Sequence, residues 1–102
     1  ASRLGIEEIA EYVPKPTVAE GISIARPLRA KEILQAVKET RGEILAVEEE
    51  EILKARKELA RKGFFVEPTS AVAGAALDQL AYLSGRIIVV PLTGSGLKSF
   101  GL

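Results

Sequence analysis

Apolar residues recur along this chain at two periods. Ala30, Ile33, Leu34 and Val37 fall at i, i+3, i+4 and i+7, the spacing that lines up one face of a helix. That predicts a helix over residues 27–41, with Pro27 in its first turn and Gly42 as its stop. A second helix is expected from 48 to about 62. Ile52, Ala55 and Leu59 form its inner face, and Lys54, Arg56, Lys57, Arg61 and Lys62 its wet side. Glu48, Glu49, Glu50 and Glu51 open it, where each acidic group opposes the positive end of the helix dipole by about 0.3–1 kcal/mol. Gly63 ends it. Pro68 opens a third helix over 69–83, apolar nearly all round and therefore expected to be buried, with Gly85 as its cap. Two short apolar runs, 43–47 and 87–92, bracket the second and third helices. In the second run, Ile87, Ile88, Val89 and Val90 are β-branched, which suits a strand covered on both faces. Phe64, Phe65 and Val66 make a briefer extended run, and Glu67 must be extended because a proline follows it.

Strands alternating with helices of this length imply βαβ units. The expected fold is α/β, a small parallel sheet flanked by helices in three layers. Residues 27–102 form its single core. Residues 1–26 read as an irregular amino-terminal segment: Ile6, Ile9 and Tyr12 keep helical spacing only until Pro14 and Pro16, and TVAEGISIA (17–25) is ambiguous between strand and helical turn.

Composition removes whole classes of chemistry. The 102 residues suffice for one small domain. The 14 basic and 14 acidic residues cancel, without the basic stripe that nucleic acid asks for. No apolar run reaches transmembrane length, so a cytoplasmic protein that meets neither membrane nor nucleic acid is expected. The absence of His and Cys excludes imidazole bases, thiol nucleophiles, disulfides and the commonest metal ligands. No metal site is expected. Asn, Met and Trp are absent as well. Few thermolabile residues beside many Glu, Lys and Arg fit a thermophilic source.

Two junctions carry what chemistry remains. At 67–70 a carboxylate, Glu67, and two hydroxyls, Thr69 and Ser70, meet the start of the third helix. At 93–96 the last apolar run gives way to Thr93, Gly94, Ser95 and Gly96. In an open α/β sheet, ligands sit just beyond the carboxyl ends of strands, and glycine lets backbone come close to them. The bland readings are a carboxylate holding a helix start and a turn hydroxyl bonding its own backbone.

Taken together, TVAEGISIARP, GEILAVEEEEILKARKELARKGFFVEPTSA and IIVVPLTGSGLK resemble the carboxyl-terminal portion of the threonine synthases. These are pyridoxal-phosphate enzymes of fold type II, the tryptophan-synthase-β-like group. The resemblance runs from about residue 17 to 98 and is most specific in FVEPTSA and LTGSGLK. It implies that this chain is part of such an enzyme's large domain. It also implies that Thr93 bonds the pyridine nitrogen of the cofactor, that Gly94 lets the loop lie against the ring, and that Glu67 belongs to the site wall. Lys98 matches the motif but is not the lysine that captures the cofactor aldehyde.

That lysine, the asparagine beside the cofactor hydroxyl and the phosphate loop all precede the matched region in the family. No catalytic residue is therefore assigned here, and pyridoxal phosphate is expected only in the complete enzyme, without covalent attachment to this chain. The resemblance implies the carboxyl-terminal part of a lyase that converts O-phosphohomoserine to threonine, inactive by itself. The alternative is a catalytically inert interaction or regulatory module derived from the same fold. The expected partners are another copy of the chain, through surfaces left uncovered, and an amino-terminal cofactor-binding chain.

Overall fold

The computed structural model describes residues 15–99. The helical spacing at Ile6, Ile9 and Tyr12 lies outside the described residues, as does the side chain of Lys98. Contacts gather the chain into two units, one of Ala1–Lys15 with Ser23–Leu45, the other of Pro16–Ile22 with Ala46–Leu102.

The first unit contains helix α1, Ala30–Glu39. Of its expected face, Leu34 is buried, while Ile33 is 44% exposed. Gly42 does not make the stop through a glycine conformation. Arg41 carries the positive φ, 55°. The Gly42 N–H bonds the Val37 carbonyl at 2.8 Å and the Arg41 N–H bonds that of Lys38 at 3.2 Å. This is the paired ending that usually recruits glycine.

The second unit is built on helix α2, Glu49–Arg61, and helix α3, Pro68–Ala75. Glu51 reaches back to the Glu48 N–H at 2.9 Å, one half of a capping box. Gly63, with φ 94°, ends α2; the Phe64 N–H bonds the Leu59 carbonyl at 2.8 Å and the Gly63 N–H that of Ala60 at 3.0 Å. The helices approach closely at Gly74, where a Cβ would stand 3.1 Å from Leu59 Cδ1 and 4.0 Å from Ala55 Cβ. Ala19, Ile52, Val66 and Ala71 form the core, flanked by Val18, Val47, Leu59, Val72 and Leu92.

Residues 16–22 are pinned to both helices. The Glu49 carboxylate accepts the Val18 N–H at 3.0 Å. It also takes a hydrogen bond from the Thr17 side chain, and these two bonds hold its pKa below the ordinary carboxylate value. Thr69 Oγ1 accepts the Gly21 N–H at 3.2 Å, beside the 3₁₀ turn Glu20–Ile22.

Three expectations need correction. Arg56 is not on a wet face: it is 7% exposed, and its guanidinium carbon lies 5.8 Å from the centre of the Phe65 ring. Its long apolar stem makes such burial feasible. The third helix is not one buried rod over 69–83. It ends at Ala75 and gives way to a 3₁₀ stretch, Ala76–Leu83, that bends at Leu80 and buries none of its residues. Its Gln79 amide donates to the Ala46 carbonyl at 2.6 Å. Lastly, the run 87–92 is not covered on both faces. Ile87 is 97% and Val89 83% exposed, while Val90 and Leu92 are half-buried.

The parallel sheet has no ladder among the described residues. Neither 43–47 nor 87–92 is paired as a strand, and the β contact found is an isolated antiparallel bridge between Val66 and Ser95. The alternation at 87–92 has strand periodicity nonetheless, with odd positions outward.

Candidate functional site

The two junctions singled out in the sequence meet. Pro68 sits at the first position of α3, where its missing N–H costs nothing, and it forces Glu67 into an extended conformation, φ −70° and ψ 158°. Extended backbone at 65–67 can then pair with 94–96. The Glu67 N–H donates to the Gly94 carbonyl at 3.1 Å, and the Gly96 N–H donates to the Phe65 carbonyl at 2.9 Å. The Val66–Ser95 bridge lies between these two bonds.

Both glycines are there to make room. A Cβ on Gly94 would run into the Glu67 carboxylate, and one on Gly96 would stand 2.7–2.9 Å from atoms of the Phe65 ring. A side chain at either position forces its neighbour to move. The space at the Gly94 Cα holds the side chain of Glu67.

A hydroxyl pair completes the site. Ser70, in the first turn of α3, is 5% exposed. Its Oγ accepts the Gly94 N–H at 2.8 Å and lies 3.3 Å from Thr93 Oγ1. Thr93 itself is exposed and Glu67 half-buried. The site thus presents one accessible hydroxyl, backed by a buried one, next to a carboxylate. Among the described side chains, Lys15, Lys31, Lys38, Lys54, Lys57 and Lys62 are all exposed. No group of three or more acidic residues among the described ones is arranged to hold a metal ion, and no helix there is long and apolar enough to cross a membrane.

Thr93, Gly94 and Glu67 are therefore brought together. Ser70 was legible only as one hydroxyl of the turn. Its signal was position: two residues beyond a helix-opening proline, it lies at the helix start rather than on a solvated face.

Comparison with known proteins gives one family match and three relatives. The family model described as pyridoxal-phosphate dependent enzyme matches residues 3–94. The threonine synthase of Methanocaldococcus jannaschii is 41% identical over 104 residues, taking in 96% of this chain and 25% of that protein. The threonine synthase of Methanosarcina acetivorans is 46% identical over 103 residues with the same coverage, and that of Mycobacterium tuberculosis 38% over 96 residues, 88% of this chain and 27% of its own. The chain spans about a quarter of the length of these curated relatives.

Proposed function

We infer, for a chain that belongs to the pyridoxal-phosphate dependent enzyme family, that it is the carboxyl-terminal portion of a threonine-synthase-like lyase. Joined to an amino-terminal part, it would help convert O-phosphohomoserine and water to threonine and phosphate, in the cytoplasm. The observation that carries this reading is the convergence of Glu67, Ser70, Thr93 and Gly94, from two junctions far apart in sequence, on one site with an exposed hydroxyl.

The residues present fit one edge of pyridoxal phosphate. A neutral hydroxyl at Thr93 suits a neutral pyridine nitrogen, and Ser70 Oγ stands 3.3 Å from that hydroxyl. The Glu67 carboxylate fills the space beside Gly94 and walls the loop. Bound there, the cofactor supplies an electron sink for carbon chemistry next to an amine. The described lysines are exposed to solvent. Capture of an aldehyde asks for an aimed, deprotonated lysine, and the amino-terminal part is the place for it, together with the phosphate cradle.

The outward side chains of Ile87 and Val89 support the same assignment. We propose that 43–47 and 87–92 join a parallel sheet completed by that other part. Its strands would pair with the open edges, and its helices would cover the odd-numbered face of 87–92.

The test is reconstitution. This chain, the amino-terminal part and their mixture are each assayed for phosphate release from O-phosphohomoserine. Activity is expected only in the mixture, lowered about tenfold or more by Thr93→Ala. In parallel, the chain alone is incubated with micromolar pyridoxal phosphate, reduced with borohydride and weighed by mass spectrometry. Stoichiometric labelling of one lysine would overturn the reading.

A further inference from the structure

The Ser70–Thr93 contact has a direction that the positions of its neighbours decide. A serine hydroxyl has one proton to give and two lone pairs to receive with. The Gly94 N–H, at 2.8 Å, occupies one lone pair of Ser70 Oγ. Ser70 is 5% exposed, so its own proton needs an acceptor inside the fold. Thr93 Oγ1, at 3.3 Å, is within reach to be that acceptor. If Thr93 donated instead, Ser70 would receive two bonds and its buried proton would have to be housed elsewhere. Thr93 is exposed, and its proton has water or a ligand to turn to.

We propose that Ser70 is a positioning residue: it donates to Thr93 and so leaves the Thr93 proton pointing outward, as a donor to an aromatic nitrogen acceptor. The same Oγ anchors the Gly94 N–H, so one buried atom sets both the hydroxyl and the backbone beside it. This rests on the reading that Thr93 faces the pyridine nitrogen of pyridoxal phosphate. It adds that Thr93 is a one-way donor there, prepared before the cofactor arrives, and that Ser70 does the preparing. The chain Gly94 N–H to Ser70 Oγ–H to Thr93 Oγ–H runs donor to acceptor throughout, and each bond strengthens the next.

The experiment is a double-mutant cycle in the assembled enzyme, with pyridoxal phosphate itself as the probe. Its dissociation constant and the position of its absorbance band are measured for Thr93→Val, Ser70→Ala and the pair. Thr93→Val should weaken binding by about 2- to 12-fold, the range of one hydrogen bond. Ser70→Ala should weaken it comparably and shift the band in the same direction, yet add far less in the Thr93→Val background, where only its bond to the Gly94 N–H remains to be lost. Ser70→Thr, which keeps the hydroxyl, should restore both. In the apo protein the Gly94 amide should exchange faster in Ser70→Ala than in Thr93→Val. If the alanine variant does not fold, Ser70→Cys, a weaker donor, replaces it in the same cycle. If Ser70→Ala acts additively with Thr93→Val, or leaves the band unmoved, the positioning role is overturned while the cofactor reading stands. If Thr93→Val itself changes neither quantity, both fall together.

Discussion

Arg41 and Gly63 occupy the same place in two helix endings. Each follows its helix, each has positive φ (55° and 94°), and each is followed by a residue whose N–H reaches back five positions, Gly42 to Val37 and Phe64 to Leu59. For glycine the left-handed conformation is free. For an arginine the Cβ crowds the carbonyl oxygen, at a cost of about 1–2 kcal/mol. Arg41→Gly should therefore raise stability by about 0.5–1 kcal/mol after the entropy that glycine adds to the unfolded chain. Urea denaturation followed by circular dichroism measures it, and an unchanged midpoint would contradict the account. A residue-by-residue reading of the sequence placed this turn on Gly42, because glycine is the usual occupant. Nothing in the letters shows that the chain turns one residue earlier. Arg56 was missed for a similar reason. A cation on an amphipathic helix reads as solvated until the ring it rests against, Phe65, is known.

At the scale of elements, the extent of α2 and the start of α3 were legible, while the end of α3 at Ala75 was not. Helix periodicity and start signals are local, so α2 runs Glu49–Arg61 and α3 opens at Pro68 much as the pattern indicates. Strands need a neighbour, and the apolar run 87–92 has strand alternation without a paired partner among the described residues. The candidate site was legible in part: Glu67 and Thr93 stood out by their junctions, while the bond between Ser70 and Gly94 spans 24 residues and has no local signature. The four glutamates opening α2 were read as one dipole effect, yet they divide the work. Glu51 caps Glu48, and Glu49 ties down 16–22. Because the bonds from Thr17 and Val18 lower the pKa of Glu49, the folded state prefers it ionised. That contribution is fully present above the ordinary glutamate value of about 4.3 and fades as pH falls through the lowered folded value. Glu49→Gln should thus destabilise the protein at pH 7 and flatten the acid limb of its stability curve. Denaturation midpoints at pH 7, 5 and 3.5 test this, and parallel curves for both proteins would rule it out.

The whole molecule carries more uncovered apolar surface than its small core explains. Leu28, Tyr82, Ile87, Val89 and Leu97 are each more than 70% exposed, and no large side chain among the described residues is fully buried. Surfaces of that kind find partners. We propose that the chain on its own associates with further copies, and that the amino-terminal part of the enzyme competes for the same residues. Sedimentation velocity at high micromolar concentration should show species beyond the monomer, reduced by Ile87→Lys with Val89→Lys. A single monomer boundary for the unmodified chain would exclude it.

The alternation at 87–92 also makes the site sensitive to counting. Leu92 packs against the core immediately before Thr93, so the inward or outward sense of every residue from Ile87 onward is a matter of parity. One residue inserted between Val90 and Pro91 would exchange the two sets upstream of it, turning Ile87 and Val89 inward and Val90 outward while Leu92 stays docked. Two residues would restore the phase and only lengthen the approach. An insertion series at this point should therefore read as odd against even, with single steps far more damaging than double ones, although no side chain of the site has been touched.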